Sequence, residues 1–314
     1  MLLKVAVVGV GSLGQHHARI YSELPDVELV GVVDIDRERA KGVALRYGAK
    51  AYYDYRDLLE DVDALSIAVP TTYHFGIALD CLREGKDILV EKPITATVAQ
   101  ADELIAEAEK MQRILQVGHL ERYNPGVIDL SGMIEEPIFF EALRLSPFPG
   151  RSTDVDVTLD LMIHDIDIIL SLVSSPIAGI RATGFSFITE KIDEARAWIE
   201  FENGVVASLT ASRIAKEKQR KLSIFQKNSY IELDYQTCRT ELHTSTKPER
   251  IEIIKSEYRE PLKEELKDFI RCALSREKPR VSGIEGRNAL MVALEISSLI
   301  RKVPVGNSTP AGIR

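Results

Sequence analysis

The sequence KVAVVGVGSLGQ, residues 4–15, joins a short apolar run to three closely spaced glycines. The apolar run is typical of a strand buried on both faces of a parallel sheet. Gly9, Gly11 and Gly14 have the spacing G-x-G-x-x-G. In such a turn the first glycine permits a tight bend, the second lets a pyrophosphate approach the backbone, and the third lets the next helix pack closely. We therefore predict that the turn binds a dinucleotide at a helix N-terminus.

An acidic residue at the expected distance supports this prediction. A second apolar run, residues 27–33, is followed by Asp34, which lies 20 residues after Gly14. An acid at this spacing binds the ribose diol in the adenosine half of the cofactor. Asp34 would repel a 2′-phosphate, so NAD is preferred over NADP, although the nearby Arg37 opposes that repulsion. The alternative is a glycine-rich turn that binds no ligand.

Composition excludes several classes of partner. The chain has 314 residues and a formal net charge of −8, which argues against a nucleic-acid partner. No apolar run is long enough to cross a membrane, so we expect no membrane partner. Cys81, Cys238 and Cys272 are scattered without the spacing of a metal site. We therefore predict no metal and a reducing, cytoplasmic location.

Two patterns of hydrophobicity divide the chain. Over residues 1–119 strand-like and helix-like segments alternate, which predicts an α/β Rossmann domain with a parallel sheet. Over residues 120–303 period-two alternation predicts an α+β domain with a large, mainly antiparallel, open-faced sheet. One strongly apolar helix is predicted there at residues 159–172. Residues 304–314 are predicted to form a mobile tail.

Three segments with unusual residues follow strands of the predicted parallel sheet: PTTYH (70–74), EKP (91–93) and GHLERYNP (118–125). Ligands of such sheets bind beyond the carboxyl ends of the strands. A lysine at this edge, Lys92, could stabilise negative charge on a substrate oxygen. The alternative is a solvated surface lysine. His74 could line the cofactor site or support packing at the start of the next helix, and the sequence leaves both open.

The predicted apolar helix carries a second chemical signal, DLMIHDID. Asp160 and His164 are four residues apart, so an α-helix places them on one face, with Asp167 on the same side. The pKa of a histidine lies nearest neutrality, which suits a general base, and a neighbouring carboxylate can hold the imidazole. The alternative is a structural hydrogen bond inside a core helix.

Together the glycine loop, Asp34, Pro70-Thr71 with His74, and EKP resemble the Gfo/Idh/MocA family of nicotinamide-dependent sugar oxidoreductases. The resemblance implies that Lys92 lies beside the nicotinamide and the reacting carbon. It also implies a homodimer or homotetramer formed through the C-terminal sheet. The family pattern D-x-G-x-H-x-x-D is kept except for Met162, which replaces the usual glycine and is expected to alter the surface beside the pocket.

The motifs and the resemblance together define the predicted site. The predicted catalytic residues are Lys92, Asp160 and His164. The predicted cofactor-binding residues are Gly9, Gly11, Ser12, Leu13, Gly14, Asp34, Ile35, Pro70, Thr71, His74, Glu91 and Lys92. The predicted substrate-binding residues are Lys92, Arg122, Tyr123, Asn124, Asp160, His164, Arg213 and Lys216.

Basic residues cluster in SRIAKEKQRKL, residues 212–222. They predict either a solvated basic hairpin or a site for a diphosphate, since arginine and lysine bind phosphates through charge-assisted hydrogen bonds. Together with ERYNP and DLMIHDID, this run resembles the branch of the family that oxidises UDP-linked amino sugars. The resemblance implies oxidation at C3 of UDP-N-acetylglucosamine, with an aminotransferase consuming the ketone for lipid A biosynthesis. The alternatives are a dehydrogenase of UDP-N-acetylglucosaminuronate, one of a free polyol such as inositol, and a non-catalytic regulator that binds NAD and a sugar nucleotide.

Overall fold

The computed structural model describes residues 2–148, 155–245 and 250–300, so the predicted tail at 304–314 lies outside the described residues. The α-helices are α1 (Gly14–Glu23), α2 (Arg37–Tyr47), α3 (Thr71–Arg83), α4 (Val98–Met111), α5 (Pro125–Leu130), α6 (Ile163–Leu172), α7 (Pro261–Ser275) and α8 (Gly283–Leu299). Short 3-10 turns cover Tyr55–Asp61 and Leu120–Tyr123.

The chain divides into two compact units. The first comprises Met1–Gly132 and Ser256–Met291, and the second comprises Met133–Lys255 and the chain from Val292 onward. This division differs from the boundary at residue 119 predicted from the sequence. The reason is that α7 packs on the first sheet, where Leu266 and Phe269 join the buried cluster around strand residue Val7. A later segment of the chain thereby completes the first core.

The first unit contains a six-stranded parallel sheet. Its strands are β1 (Leu3–Val8), β2 (Val27–Val33), β3 (Lys50–Tyr52), β4 (Ala64–Ile67), β5 (Asp87–Glu91) and β6 (Leu115–Gly118). Their order is β3-β2-β1-β4-β5-β6, and every pair is parallel. The chain reverses its direction of winding between β1 and β4, which is where a doubly wound sheet opens a ligand crevice.

The second unit contains an eight-stranded sheet. Its strands are β7 (Pro137–Leu145), β8 (Ile177–Phe185), β9 (Glu194–Phe201), β10 (Val206–Ser212), β11 (Gln219–Gln226), β12 (Ser229–Asp234), β13 (Arg239–Thr244) and β14 (Arg250–Lys255). Their order is β14-β13-β12-β11-β7-β10-β9-β8, and within this sheet the described strands form one parallel pair, β7–β10. The predicted fold class is therefore confirmed, while β14 was not predicted. Its apolar residues Ile251 and Ile253 are exposed, so this strand lacks the alternation of buried apolar and exposed polar residues that predicts a strand.

The two faces of this sheet differ in burial. Along β9, Ala197 and Ile199 are buried, whereas Trp198 between them is 37% exposed. Helix α6 is tied to the buried face by an ion pair in which Arg144 of β7 binds both carboxylate oxygens of Asp165, at 2.7 and 2.9 Å. Both side chains are buried, so the pair fixes α6 on the sheet through bidentate hydrogen bonds.

Candidate active site

The glycine loop after β1 shows why each glycine is present. Gly9 has φ +85°, and a Cβ there would lie 2.7 Å from the Ala68 carbonyl oxygen. A Cβ on Gly14 would lie 1.8 Å from the Gly9 carbonyl oxygen. A Cβ on Gly11, in contrast, would meet no atom within 4 Å. Packing therefore requires the first and third glycines, whereas the second faces open space that a pyrophosphate can enter.

Asp34 lies beside this loop, as predicted. Its carboxylate accepts hydrogen bonds from the backbone N–H groups of Val10 at 3.1 Å and Asp36 at 2.9 Å. The Arg39 guanidinium lies 3.3 Å from both carboxylate oxygens. The next residue, Ile35, is 94% exposed. Together the open Gly11 and the fixed acid form a cradle that fits the adenosine and pyrophosphate parts of NAD.

His74 joins two of the segments that were singled out in the sequence. Its Nε2 lies 2.8 Å from the Val69 carbonyl oxygen after β4, and its Nδ1 lies 2.9 Å from the Pro93 carbonyl oxygen after β5. The side chain is buried, and burial lowers the pKa of the imidazole. Of the two roles left open, the geometry supports packing: His74 holds the loop that contains Lys92. Helix α3 begins beside it at Thr71, with Pro70 as N-cap residue.

The residues around Lys92 form a buried polar group. Glu91 is buried, and one carboxylate oxygen lies 3.1 Å from Nε2 of His17 on α1. On the neighbouring strand Gly118 leaves space for this carboxylate, because a Cβ there would approach it to 2.8 Å. His119 follows and is fully buried, and burial together with the charge of Lys92 lowers its pKa to about 3. His119 is therefore neutral near pH 7 and adds no charge beside Lys92.

Two residues of ERYNP have structural contacts that the sequence did not indicate. The Tyr123 hydroxyl donates a 2.7 Å hydrogen bond to Asp268 of α7 and accepts one from Gln116 at 3.2 Å. Tyr123 is also buried, so these hydrogen bonds anchor its hydroxyl inside the first unit, and its contact with substrate stays a prediction. Asn124 is the N-cap of α5, where its side-chain oxygen accepts from the Gly126 N–H. Arg122 is partly exposed.

In the second unit, DLMIHDID spans a change of helix type. Thr158–Met162 is a π-helical turn, and α6 continues from Ile163. Asp160 is partly exposed in the wide turn, whereas His164 is 9% exposed in the first turn of α6. The predicted continuous α-helix is therefore corrected, and single π turns occur often at functional sites. Met162 is fully buried, and its effect on the surface beside the pocket stays a prediction.

Arg213 lies in the interior, not in a surface patch of basic residues. It is 1% exposed, donates a hydrogen bond to the Val155 carbonyl oxygen at 2.6 Å, and lies 3.8 Å from Asp193. These contacts hold the backbone that leads into the π-helical turn, whereas the substrate contact of Arg213 stays a prediction. Lys216 is exposed in the turn between β10 and β11, and Lys221 pairs with Glu232 at 2.8 Å.

Comparisons with known proteins agree with this architecture. Residues 3–119 match the family described as "Oxidoreductase family, NAD-binding Rossmann fold", and residues 132–232 match the "GFO/IDH/MocA C-terminal domain". The chain belongs to the Gfo/Idh/MocA family. Like others of that family, this Gfo/Idh/MocA protein is an NAD-dependent oxidoreductase that acts on hydroxyl groups.

Two relatives of this Gfo/Idh/MocA protein illustrate the range of substrates. UDP-N-acetylglucosamine 3-dehydrogenase of Acidithiobacillus ferrooxidans is 35% identical over 94% of this chain and 96% of its own length. Its solved structure superposes with a TM-score of 0.91 over 96% of this chain and 98% of that chain. Myo-inositol 2-dehydrogenase of Thermotoga maritima is 27% identical over 92% of this chain and 94% of its own length.

The described ranges contain neither a metal-binding cluster nor a membrane-spanning helix. Within residues 2–148, 155–245 and 250–300, no group of three or more histidine, cysteine, aspartate or glutamate side chains could hold a metal ion. In the same ranges no helix has the length and apolar character needed to cross a membrane.

Proposed function

We propose that the chain oxidises a hydroxyl group of a sugar nucleotide to a ketone, most specifically C3 of UDP-N-acetylglucosamine, with NAD as the acceptor. The observation that carries the proposal is the 35% identity, over nearly the full length of both chains, to an enzyme named for that reaction. The inositol dehydrogenase named above is more distant, at 27% identity. The open Gly11 and the fixed Asp34 support the cofactor half of the proposal.

In this proposal three side chains transfer the proton and stabilise the charges that form during the reaction. Bound NAD supplies the hydride acceptor. His164 accepts the proton of the substrate hydroxyl, because its unperturbed pKa lies nearest neutrality. Asp160 stabilises the charged imidazole that results. Lys92 stabilises the negative charge that develops on the substrate oxygen, an effect that is large where water is excluded.

The reaction can be tested directly by following the absorbance of NADH. The purified protein is mixed with NAD and, in separate reactions, UDP-N-acetylglucosamine, free N-acetylglucosamine, UDP-N-acetylglucosaminuronate and inositol, each with and without a ketone trap. We expect NADH to form only with UDP-N-acetylglucosamine, and more of it with the trap, since trapping the ketone draws the equilibrium toward product.

Each other outcome points to a named alternative. NADH formed from inositol alone would contradict the sugar-nucleotide substrate and favour a polyol dehydrogenase, for which the similarity to Myo-inositol 2-dehydrogenase is the supporting observation. NADH formed only from UDP-N-acetylglucosaminuronate would identify that uronate as the substrate. Binding of NAD and UDP-N-acetylglucosamine without any NADH would favour a regulator.

We also propose that the open face of the eight-stranded sheet binds a second copy of the chain. An aromatic row crosses this face, with ring centroids 4.1–5.8 Å apart, through Trp198, Phe139, Phe225, Tyr230 and His243. Charges of both signs flank the row, including Arg196 and Glu200 on β9. Aromatic rings that are exposed or partly exposed, together with charges of both signs, suit a two-fold contact in which one surface meets itself.

Light scattering tests this interface. Phe225, 39% exposed in the middle of the row, is replaced by glutamate, which places a charge in the proposed contact. We expect the wild-type chain to be a dimer or tetramer and Phe225→Glu to have a lower mass. Leu45→Glu is the matched control, because Leu45 is 87% exposed on α2 of the first unit. A monomeric wild type, or an unchanged mass of the Phe225 variant, would contradict the proposal.

We also propose a cellular location, argued from the cysteines, and a next pathway step, argued from the ketone product. Cys81, Cys238 and Cys272 are free and buried, which supports the reducing cytoplasm. A 3-keto sugar nucleotide is a substrate suited to an aminotransferase, so we propose such an enzyme as the next step, toward lipid A.

A further inference from the structure

We propose that Arg144 is a positioning residue of the active site: through its ion pair with Asp165 it sets the orientation of His164. This role rests on the proposed function, in which His164 accepts the proton of the substrate hydroxyl. All three residues lie in the second unit of the chain. Neither Arg144 nor Asp165 belongs to the pattern D-x-G-x-H-x-x-D from which the site was predicted.

The π-helical turn before His164 makes the direction of the imidazole depend on where the helix is held. A π turn contains about one residue more than an α turn. Successive residues of an α-helix are about 100° apart around its axis, so taking up the extra residue elsewhere would rotate His164 by about that angle relative to Asp160. The turn lies at Thr158–Met162. Contacts from outside the helix must therefore keep the extra residue at this point.

The ion pair supplies such a contact on the C-terminal side of the π-helical turn. Asp165 is adjacent to His164 in the chain, and its carboxylate oxygens accept hydrogen bonds of 2.7 and 2.9 Å from Nε and Nη2 of Arg144. Two parallel hydrogen bonds fix the direction of the carboxylate as well as its distance. Both side chains are 2% exposed. The first turn of α6 therefore cannot rotate about the helix axis without breaking a buried ion pair.

Arg144 is itself held firmly enough to serve as a fixed reference. Its strand, β7, lies inside the eight-stranded sheet, where Arg144 is paired with Ala211 of β10 and with Arg220 of β11. The guanidinium also lies 5.2 Å from the centre of the Tyr235 ring, within the range of a cation–π interaction. The orientation of α6 is thus set by the backbone of the sheet.

Other contacts hold the segment on the N-terminal side of the π-helical turn. The Ile192 N–H donates a 2.9 Å hydrogen bond to Oδ1 of Asp156. The Val157 N–H donates to the Ile192 carbonyl oxygen, also at 2.9 Å. The chain is therefore fixed before the turn by Ile192 and after it by Arg144, so the extra residue stays within Thr158–Met162.

A double variant separates this positioning role from a role in stability. Replacing a buried ion pair with apolar side chains of similar volume often leaves a protein as stable as before or more stable, whereas removing one partner leaves an unpaired buried charge. Arg144→Met combined with Asp165→Leu removes both charges together. It keeps apolar contact between β7 and α6 but loses the two directional hydrogen bonds.

The experiment measures melting temperature, the Kd of NADH, and kcat across pH with NAD and UDP-N-acetylglucosamine. We expect the double variant to melt at or above the wild-type temperature and to bind NADH normally, because the cofactor cradle lies in the other unit. Its kcat should fall about tenfold to a hundredfold, since a misplacement of about 1 Å can cost that much. The fall in rate at low pH should remain, because His164 is still the base. Arg144→Lys keeps the charge without the bidentate geometry and should also lower kcat, by a smaller factor.

Arg287→Met combined with Asp102→Leu is the matched control. This pair joins α8 to α4 in the first unit through a 2.9 Å hydrogen bond from Nε of Arg287, and we expect its removal to leave kcat unchanged. The proposal is overturned if the folded double variant of Arg144 and Asp165 has the wild-type kcat, or if the control loses as much. Should that double variant not fold, a stable Arg144→Lys with the wild-type kcat would overturn it.

His164→Ala distinguishes a failure of this role from a failure of the proposed function. If His164→Ala is slow and the double variant has the wild-type kcat, His164 remains the base and only the role of Arg144 is lost. If His164→Ala has a nearly normal kcat, the assignment of the base fails, and the role of Arg144 fails with it.

Discussion

Replacing His164 with alanine is expected to lower kcat about a thousandfold, within the range that general acid–base catalysis contributes. The proposed reaction needs a group that takes the hydroxyl proton as the hydride leaves. An alanine cannot take it, and His164 is 9% exposed, so bulk water has little access to replace the imidazole. The Kd of NADH should change little, because the cradle formed by Gly11 and Asp34 lies in the other unit of the chain.

Lys92→Ala should lower kcat by a similar factor for a different reason. It removes the charge that stabilises the negative substrate oxygen. Comparing the two variants across pH separates the roles: the fall in rate at low pH, where the base is protonated, should disappear only in His164→Ala. His16→Ala is the control, since His16 is an exposed histidine on α1. A His164 variant with nearly normal kcat would remove His164 from the proposed mechanism.

Replacing Gly14 with alanine is expected to lower the free energy of unfolding by about 3 kcal/mol, the upper end of the usual cost of overpacking. The added methyl would lie 1.8 Å from the Gly9 carbonyl oxygen. The backbone fixes the position of the methyl, and the carbonyl is itself a backbone group of the same tight turn, so no side-chain rotation relieves the clash. The turn must shift, and we expect NADH affinity to fall at least tenfold, which corresponds to about 1.4 kcal/mol.

Two other glycines make this prediction specific. Gly11→Ala should melt at the wild-type temperature yet bind NADH more weakly, because its methyl meets no protein atom and occupies the space left for the pyrophosphate. Gly76→Ala, in an open position of α3, should bind NADH normally and gain about 0.5–1 kcal/mol of stability. Thermal melts and calorimetric titration measure both quantities. Wild-type stability and affinity in Gly14→Ala would contradict the packing argument.

The sequence by itself determined the fold class and the place of the cofactor cradle. Both follow from signals that are local in the chain: an apolar run before three glycines, an acid 20 residues later, and a change from alternating elements to period-two strands. Gly14 and Asp34 could be assigned because the covalent spacing of a βαβ unit largely sets where they lie. Lys92 became a candidate through the resemblance of EKP to the family motif, because a lysine that follows a buried strand is by itself one of many basic residues.

The tertiary structure determined the features of the site that depend on contacts between residues far apart in the sequence. Sequence spacing shows which residues share a face of one element, but not which distant residue packs against that face. For this reason Arg39 and not Arg37 pairs with Asp34, Arg213 lies buried beside Asp193, and Tyr123 binds Asp268, 145 residues away. His74 likewise joins two loops through backbone carbonyl groups, and carbonyl groups have no sequence signature.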